Sequence, residues 1–321
     1  MFETDRLPAG WSDRLNSLDA IWVPTSFARD IFVAGGVDDD KVRVIGEGVD
    51  ALFYGGATQS LLTYTPSDKQ WELTPSSPPS PPTTVFLSVF KWEERKNWKA
   101  LIAAYVAAFG ANENVTLLIV TSGYHESFGT VRTAFDTFVE SNGYEYEAHT
   151  QTLDIDGVPV SVYNYNAPTL PPISVTGGIP MLAMPALYRT GSVFVLPSRG
   201  EGWGRPYMES MAAGVPVVAT QWSGMTAFVT EENGFLVAVD KLVEVEEGAF
   251  KGHMWADVCV KRLSSIMREV FEDAEGVVEK KGTRARKDVE EKWRMEIVAE
   301  QFKLMVEEEV ERKFGGGSGE L

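Results

Sequence analysis

The sequence predicts an α/β fold in which parallel strands alternate with helices, and three observations carry that reading. Short apolar runs rich in β-branched residues recur along the chain, at Ile21–Val23, 41–45, 85–90, 115–120, Val193–Leu196 and 215–219. Such runs suit strands buried on both faces. Between several of them lie segments with helical spacing, opened by a hydroxyl residue or proline and closed by glycine. One polar, glycine-rich loop also follows a strand directly and leads into a helix, and open α/β sheets place their ligands at such strand ends.

Taken in order, Ile21–Val23 is the first strand and Pro24-Thr25-Ser26 a turn whose hydroxyl caps a short helix over 27–34, closed by Gly35 and Gly36. Residues 41–45 form a second strand, followed by Gly46-Glu47-Gly48-Val49-Asp50. Residues 59–84 read as a linker, because the tract from Pro75 to Pro82 favours polyproline II or disorder and offers no buried face. The strand at 85–90 opens a second domain and runs into Lys91-Trp92-Glu93-Glu94-Arg95-Lys96-Asn97, then an amphipathic helix over 98–109. Cations between a strand end and a helix start suit a diphosphate, to which the helix start adds its own positive end. The alternative is a solvated loop with salt bridges among Glu93, Glu94 and Arg95.

A strand at 115–120 and a helix at 128–139 follow, and residues 144–176 read as irregular. Within them Asp154 and Asp156 could form a metal site. Gly157 and the alternating Val158, Val160 and Val162 favour a hairpin turn instead. A helix over 181–188 precedes the strand Val193–Leu196, which Pro197 ends. Gly200, Gly202 and Gly204 then make a loop that a ligand can approach closely. Pro206 occupies the first turn of a helix completed over 207–213 and stopped by Gly214. Glu201 in the loop and Glu209 in the helix can face one ligand from different depths, and a carboxylate accepts paired hydrogen bonds from neighbouring sugar hydroxyls. The same acids could equally be a helix cap and a solvated helix residue. Helices at 255–271, 275–294 and 295–313 close the chain before a flexible tail at Gly315-Gly-Gly-Ser-Gly319.

Bulk properties narrow the function. A chain of 321 residues is long enough for two domains, and 44% hydrophobic content with 17 Phe and 9 Trp can fill their cores. The formal charge of −17 argues against an electrostatic nucleic-acid binder. Cys259 is the single cysteine, which points to a reducing compartment, and three histidines scattered in sequence make a zinc site improbable. With neither a signal peptide at the start nor an apolar run of membrane length, a cytoplasmic protein is expected.

The run Glu201-Gly-Trp-Gly-Arg-Pro-Tyr-Met-Glu209-Ser-Met-Ala-Ala-Gly-Val-Pro-Val-Val-Ala resembles the E-x7-E signature of the family 4 retaining glycosyltransferases (glycosyl transferases group 1), which have the GT-B architecture of two Rossmann-like domains. Val23-Pro24-Thr25-Ser26 and Gly48-Val49-Asp50 resemble the end of that family's N-terminal domain, with Glu47 where asparagine is usual. Residues 91–97 resemble its phosphate loop, Lys96 falling on the family's lysine, Lys91 near its arginine, and Arg95 standing as an alternate. Residues 181–188 resemble its L-x-x-L-Y helix, although Tyr188 reads better as core.

The resemblance implies a remnant of the N-terminal domain at 1–57, a linker or insertion at 58–84, a complete C-terminal nucleotide-sugar-binding domain at 85–294, and a C-terminal helix and tail at 295–321 that crosses back to the first domain. Typical members carry much more chain before the matching start, so a fragment or a reduced homologue is expected. The implied activity is metal-independent, retaining transfer of a hexose from a UDP- or GDP-sugar, a substrate rather than a cofactor, to an acceptor hydroxyl. Glu209 would hold the ribose hydroxyls and Glu201 those of the donor sugar, while Lys96 with Lys91 would neutralise the departing β-phosphate. Gly202, Trp203, Gly204, Arg205, Pro206 and Arg95 would complete the donor site.

Two rivals stand beside this reading. One is a catalytically inactive module that binds a nucleotide sugar or a partner. The other is a nicotinamide-dependent oxidoreductase, against which the third glycine of Gly200-x-Gly202-x-Gly204 comes one residue early and no acid ends the following strand.

Overall fold

A computed structural model describes residues 3–56, 60–65, 67–75, 83–123, 127–155 and 157–314. The proline-rich residues 76–82, His125, Asp156 and the glycine tail at 315–319 lie outside the described residues. After α1 (Trp11–Asn16), β1 (Ile21–Val23) pairs in parallel with β2 (Val42–Val44) across the intervening α2 (Ser26–Ala34). Thr25 caps α2, its hydroxyl accepting from the Ala28 N–H at 3.1 Å. Ile21, Val23, Ala28, Ile31, Phe32 and Val42 share a small core of their own. Asp50 caps the next helix, α3 (Ala51–Gly55), by accepting from the Phe53 N–H at 2.8 Å.

Residues 60–75 are not a spacer. β3 (Ser60–Thr65) and β4 (Gln70–Pro75) form an antiparallel hairpin in which Tyr64 and Trp71 are each 1% exposed. Their rings lie 5.1 Å apart, and the Trp71 indole N–H donates to Ser174 Oγ at 2.9 Å. The Trp71 backbone is tied on both sides to Gln151, donating to Oε1 and accepting from Nε2. Two buried aromatics outweigh the surrounding Thr, Ser and Pro, whose abundance suggested a linker.

The main sheet is built from β5 (Thr84–Trp92), β6 (Val115–Gly123), β7 (Glu147–Ile155), β8 (Val158–Asn166), β9 (Ile173–Thr176), β10 (Val193–Leu196), β11 (Val217–Thr220) and β12 (Gly234–Val237), in the order β12-β11-β10-β5-β6-β9-β8-β7. From β12 to β9 all pairings are parallel; β8 and β7 add an antiparallel edge. The central strands are covered on both faces, so β10 and β11 are wholly buried. Each buried Val, Leu or Phe there contributes roughly 1.5–3 kcal/mol by leaving water. Around the sheet pack α4 (Trp98–Ala108), α5 (Phe128–Ser141), α6 (Met184–Thr190), α7 (Arg205–Ala212), α8 (Val260–Glu272) and α9 (Val277–Asp288), and a separate hairpin joins β13 (Val239–Glu244) to β14 (Met254–Val258).

Three expectations change. The segment at 144–176 is ordered, its long β7–β8 hairpin turning where Asp154 Oδ1 accepts from the Gly157 N–H at 2.8 Å. Residues 255–258 are strand rather than helix, since alternate Ala256 and Val258 are buried while β13 supplies backbone partners. The helix predicted over 275–294 starts at Val277 and ends in a π turn over Val289–Trp293 before α10 (Met295–Phe314). That last helix returns to the first strands. Phe302 meets Trp22 edge-on at 5.2 Å, Glu309 pairs with Arg43, and Lys313 pairs with Asp19 at 2.5 Å. Among the described residues no helix is long and apolar enough to cross a membrane.

Candidate active site

The site lies at the carboxyl ends of β5 and β10, adjacent parallel strands whose following loops converge. After β5 the chain makes one 3-10 turn, Glu94–Lys96, and leaves it through Asn97, held at a left-handed φ of 55°. Asparagine tolerates that geometry better than most residues, and its side chain is fixed to Asp257 at 2.8 Å. The loop after β10 is stitched onto this turn: the Arg199 N–H donates to the Arg95 carbonyl at 2.8 Å, and Ser198 Oγ donates to the Arg95 and Gly200 carbonyls. Gly204, with φ of 106°, turns the chain into α7 as only glycine does easily. Tyr207 then anchors the helix, its hydroxyl donating to the Leu196 carbonyl at 2.6 Å.

This stitching brings cations and a carboxylate from distant sequence into contact. Lys96 Nζ lies 2.6 Å from Glu201 Oε1, and Arg95 Nη1 lies 2.8 Å from Glu201 Oε2. Arg95 Nη1 also donates to the Gly200 carbonyl at 2.6 Å, and Nη2 donates to Glu93 at 2.8 Å. Glu201 and Lys96 are buried, and the Glu201 N–H donates to Ser223 Oγ at 2.9 Å. Burial works against the carboxylate, but Lys96 and Arg95 more than offset it and hold Glu201 below the ordinary glutamate value. Arg95 is partly desolvated, yet Glu201, Glu3 and Glu93 raise it above its ordinary value. The cluster is a pair of fixed positive charges beside a fixed acceptor.

Glu209 is held differently. The Tyr188 hydroxyl donates to its Oε2 at 2.7 Å, the Tyr54 ring packs edge-on against Tyr188 at 5.8 Å, and Arg205 Nε stands 3.8 Å from Oε1. Burial, then the charge of Glu209, pushes both phenols well above the ordinary tyrosine value, so they stay neutral.

The residues expected from sequence divide accordingly. Glu201, Lys96 and Arg95 come together, with Gly202, Gly204, Arg205 and Pro206 on the same loop and helix start. Lys91 does not join them. It is exposed on β5, and among the described residues no ion pair involves it, whereas Arg95 pairs with Glu201. Trp203 is not presented to a ligand either, being 1% exposed and packed against Phe228 and Trp293 at 4.9 and 5.0 Å. Tyr188, read as core, is both buried and a donor to Glu209. The general signal was available, since a buried tyrosine hydroxyl usually finds a partner. Glu3 and Tyr54 were missed, and nothing local in sequence marks either; the Glu93–Arg95 pair is one of the salt bridges that the alternative reading of this loop expected. Among the described residues no three His, Cys, Asp or Glu side chains gather where a metal ion could be held.

Comparison with known proteins accords with this geometry. Residues 157–248, which contain the loop and α7, match the family model described as Glycosyl transferases group 1. Over 69 residues the chain is 42% identical to the lipopolysaccharide core biosynthesis mannosyltransferase LpsB of Rhizobium meliloti (strain 1021), a match spanning 21% of this chain and 20% of that protein. HepE of Anabaena, solved in complex with UDP and glucose, superposes with a TM-score of 0.63 at 16% identity over 93% of this chain. A glycosyltransferase from Rickettsia africae ESF-5 gives a TM-score of 0.64 at 14% identity over 96% of it. The chain has the GT-B fold. Its GT-B sheet is the mostly parallel eight-stranded one, and the chain spans 66% and 69% of the lengths of those two structures.

Proposed function

We propose that this chain is a retaining, metal-independent glycosyltransferase of family 4 that takes a UDP- or GDP-sugar and passes the sugar to an acceptor hydroxyl. The observation that carries the reading is the meeting of Arg95 and Lys96 with Glu201 at the head of adjacent strands. Two fixed cations there suit the β-phosphate as negative charge develops on it, when the bond from phosphate oxygen to the sugar's anomeric carbon breaks. Glu201 accepts from the donor sugar's hydroxyls, and Glu209, oriented by Tyr188, accepts from the ribose hydroxyls. The Gly202–Pro206 stretch brings backbone and the start of α7 against the donor. The acceptor oxygen bonds the anomeric carbon on the face the phosphate leaves, its proton passing to the departing phosphate oxygen, and no enzyme nucleophile is assigned.

Several facts support this reading: the family match across the loop, the mannosyltransferase name of LpsB, and the UDP and glucose bound to HepE. The two relatives differ in their named sugars, so the donor stays open between classes. A cytoplasmic setting fits the single Cys259.

The test is calorimetric titration of the 321-residue chain with UDP, GDP, ADP and their common sugars, without metal, beside Glu209→Ala. One nucleotide should bind the parent and lose about tenfold or more in the variant, the scale of a lost charged hydrogen-bonding partner. Binding by none of them withdraws the reading. Binding without transfer to any sugar, lipid or protein acceptor supports the inactive donor-binding module instead.

A further inference from the structure

The described chain begins by crossing the glycine loop. The Asp5 N–H donates to the Met254 carbonyl at 2.9 Å, and the Asp5 carboxylate accepts from the Met254 N–H at 2.7 Å. Thr4 Oγ1 meets His253 Nδ1 at 3.0 Å, and Arg6 donates to the Gly252 carbonyl. Residues 4–6 are thereby tied to the start of β14, which lays the Glu3 backbone against Gly200. A Cβ on Gly200 would stand 2.1 Å from the Glu3 carbonyl oxygen, so only glycine admits the segment. From there the Glu3 side chain reaches the cation cluster, with Oε1 3.3 Å from Arg95 Nη1. That nitrogen also serves Glu201 and the Gly200 carbonyl.

Three carboxylates, Glu3, Glu93 and Glu201, therefore surround two cations, Arg95 and Lys96. A diphosphate entering this cluster meets net negative charge, and one carboxylate has to withdraw or take up a proton. Glu201 is gripped by both cations, and Glu93 sits 2.8 Å from Arg95. Glu3 makes the longest of these contacts and comes from a separate segment. We propose that Glu3 is a stand-in anion at this site: its carboxylate occupies the diphosphate's place on Arg95 and yields it when phosphate arrives, so that its charge sets the site's affinity for donors. The inference rests on the donor-binding reading above. Burial raises the Glu3 carboxyl above its ordinary value; Arg95 and Lys96 pull it down, while Glu201 and Glu93, the other charged groups facing it, push it up. Falling pH therefore protonates Glu3 early and relieves the competition.

The experiment is titration calorimetry of the 321-residue chain and of Glu3→Gln with inorganic pyrophosphate, UDP and GDP, at about pH 8 and about pH 5. Glu3→Gln should bind pyrophosphate about tenfold more tightly than the parent at the higher pH, and the gap should narrow at the lower one. Tight binding by the variant with none by the parent supports the proposal equally. Equal or weaker binding by the variant at the higher pH overturns it and leaves the donor-binding reading intact. If neither protein binds any of these phosphates at either pH, the donor-binding reading fails and this inference falls with it.

Discussion

Glu201 and Glu209 lie on one loop and its helix, yet they are held by opposite means. Glu201 is buried and takes two charged donors, Lys96 at 2.6 Å and Arg95 at 2.8 Å. Glu209 takes the neutral phenol of Tyr188, which Tyr54 packs against, and Arg205 is 3.8 Å away and largely exposed. The first is an ion-pair centre whose partners a phosphate can claim. The second is an acceptor stiffened by a hydroxyl, able to receive ligand hydroxyls without surrendering a counter-charge. Spacing places the two acids on one loop and its helix; the character of each comes from what the rest of the chain brings to it.

The largest effect is expected at the charged centre. Glu201→Gln leaves the buried Lys96 and the half-buried Arg95 beside a neutral amide, and breaking a buried pair in this way costs about 3–5 kcal/mol, readable in urea unfolding. The gap should also depend on pH. Glu201 titrates below its ordinary value in the folded protein, so its stabilisation is complete above the unfolded glutamate value of about 4.3 and fades as pH falls through the folded one. Parent and variant should converge in acid. A gap below about 1 kcal/mol near neutrality would mean that Glu3 and Glu93 suffice for the two cations, and the contrast with Glu209 would shrink.

How much of this was legible in the sequence follows from the range of each cause. The loop and α7 were readable because their determinants are local: Pro197 ends the strand, Gly204 needs its positive φ, Pro206 fits the first helical turn and Gly214 takes a φ of 80°. The choice of Arg95 over Lys91 was not, because it depends on where β5 ends relative to β10, and Lys91 sits on the strand before the turn that aims the cations. The β3–β4 hairpin was hidden by composition, although Leu62 and Tyr64 alternate as a half-buried strand should. Glu3 and Tyr54 carry no local mark; each reaches the site through tertiary contacts alone.

A smaller effect is expected on the neutral side. Tyr188→Phe removes the donor at 2.7 Å from Glu209 Oε2 and changes little volume, so it should cost about 1–3 kcal/mol, the penalty of a partly buried acceptor left short of a partner. Its pH dependence runs opposite to that of Glu201. A tyrosine whose folded value is raised contributes fully below the unfolded value of about 10 and loses that contribution as pH climbs through the folded value. The gap between parent and Tyr188→Phe, followed by chemical denaturation, should therefore persist in acid and close in alkali. A gap that closes in acid instead would place a charged partner at Glu209 and erase the distinction.

The smallest effect is expected from Arg205→Ala, and it is the sharper for being small. Arg205 reaches Glu209 at 3.8 Å and Glu47 at 4.0 Å, from a side chain 56% exposed. Pairs of that length and exposure are worth about 0–1 kcal/mol and are screened by salt, so denaturation midpoints of parent and variant should nearly coincide, and coincide fully in high salt. A salt-independent loss comparable with that of Glu201→Gln would show that Arg205 serves Glu209 as Arg95 serves Glu201. The two acids would then be equivalent ion-pair centres, and the division of labour between phosphate and hydroxyl recognition would lose its physical basis.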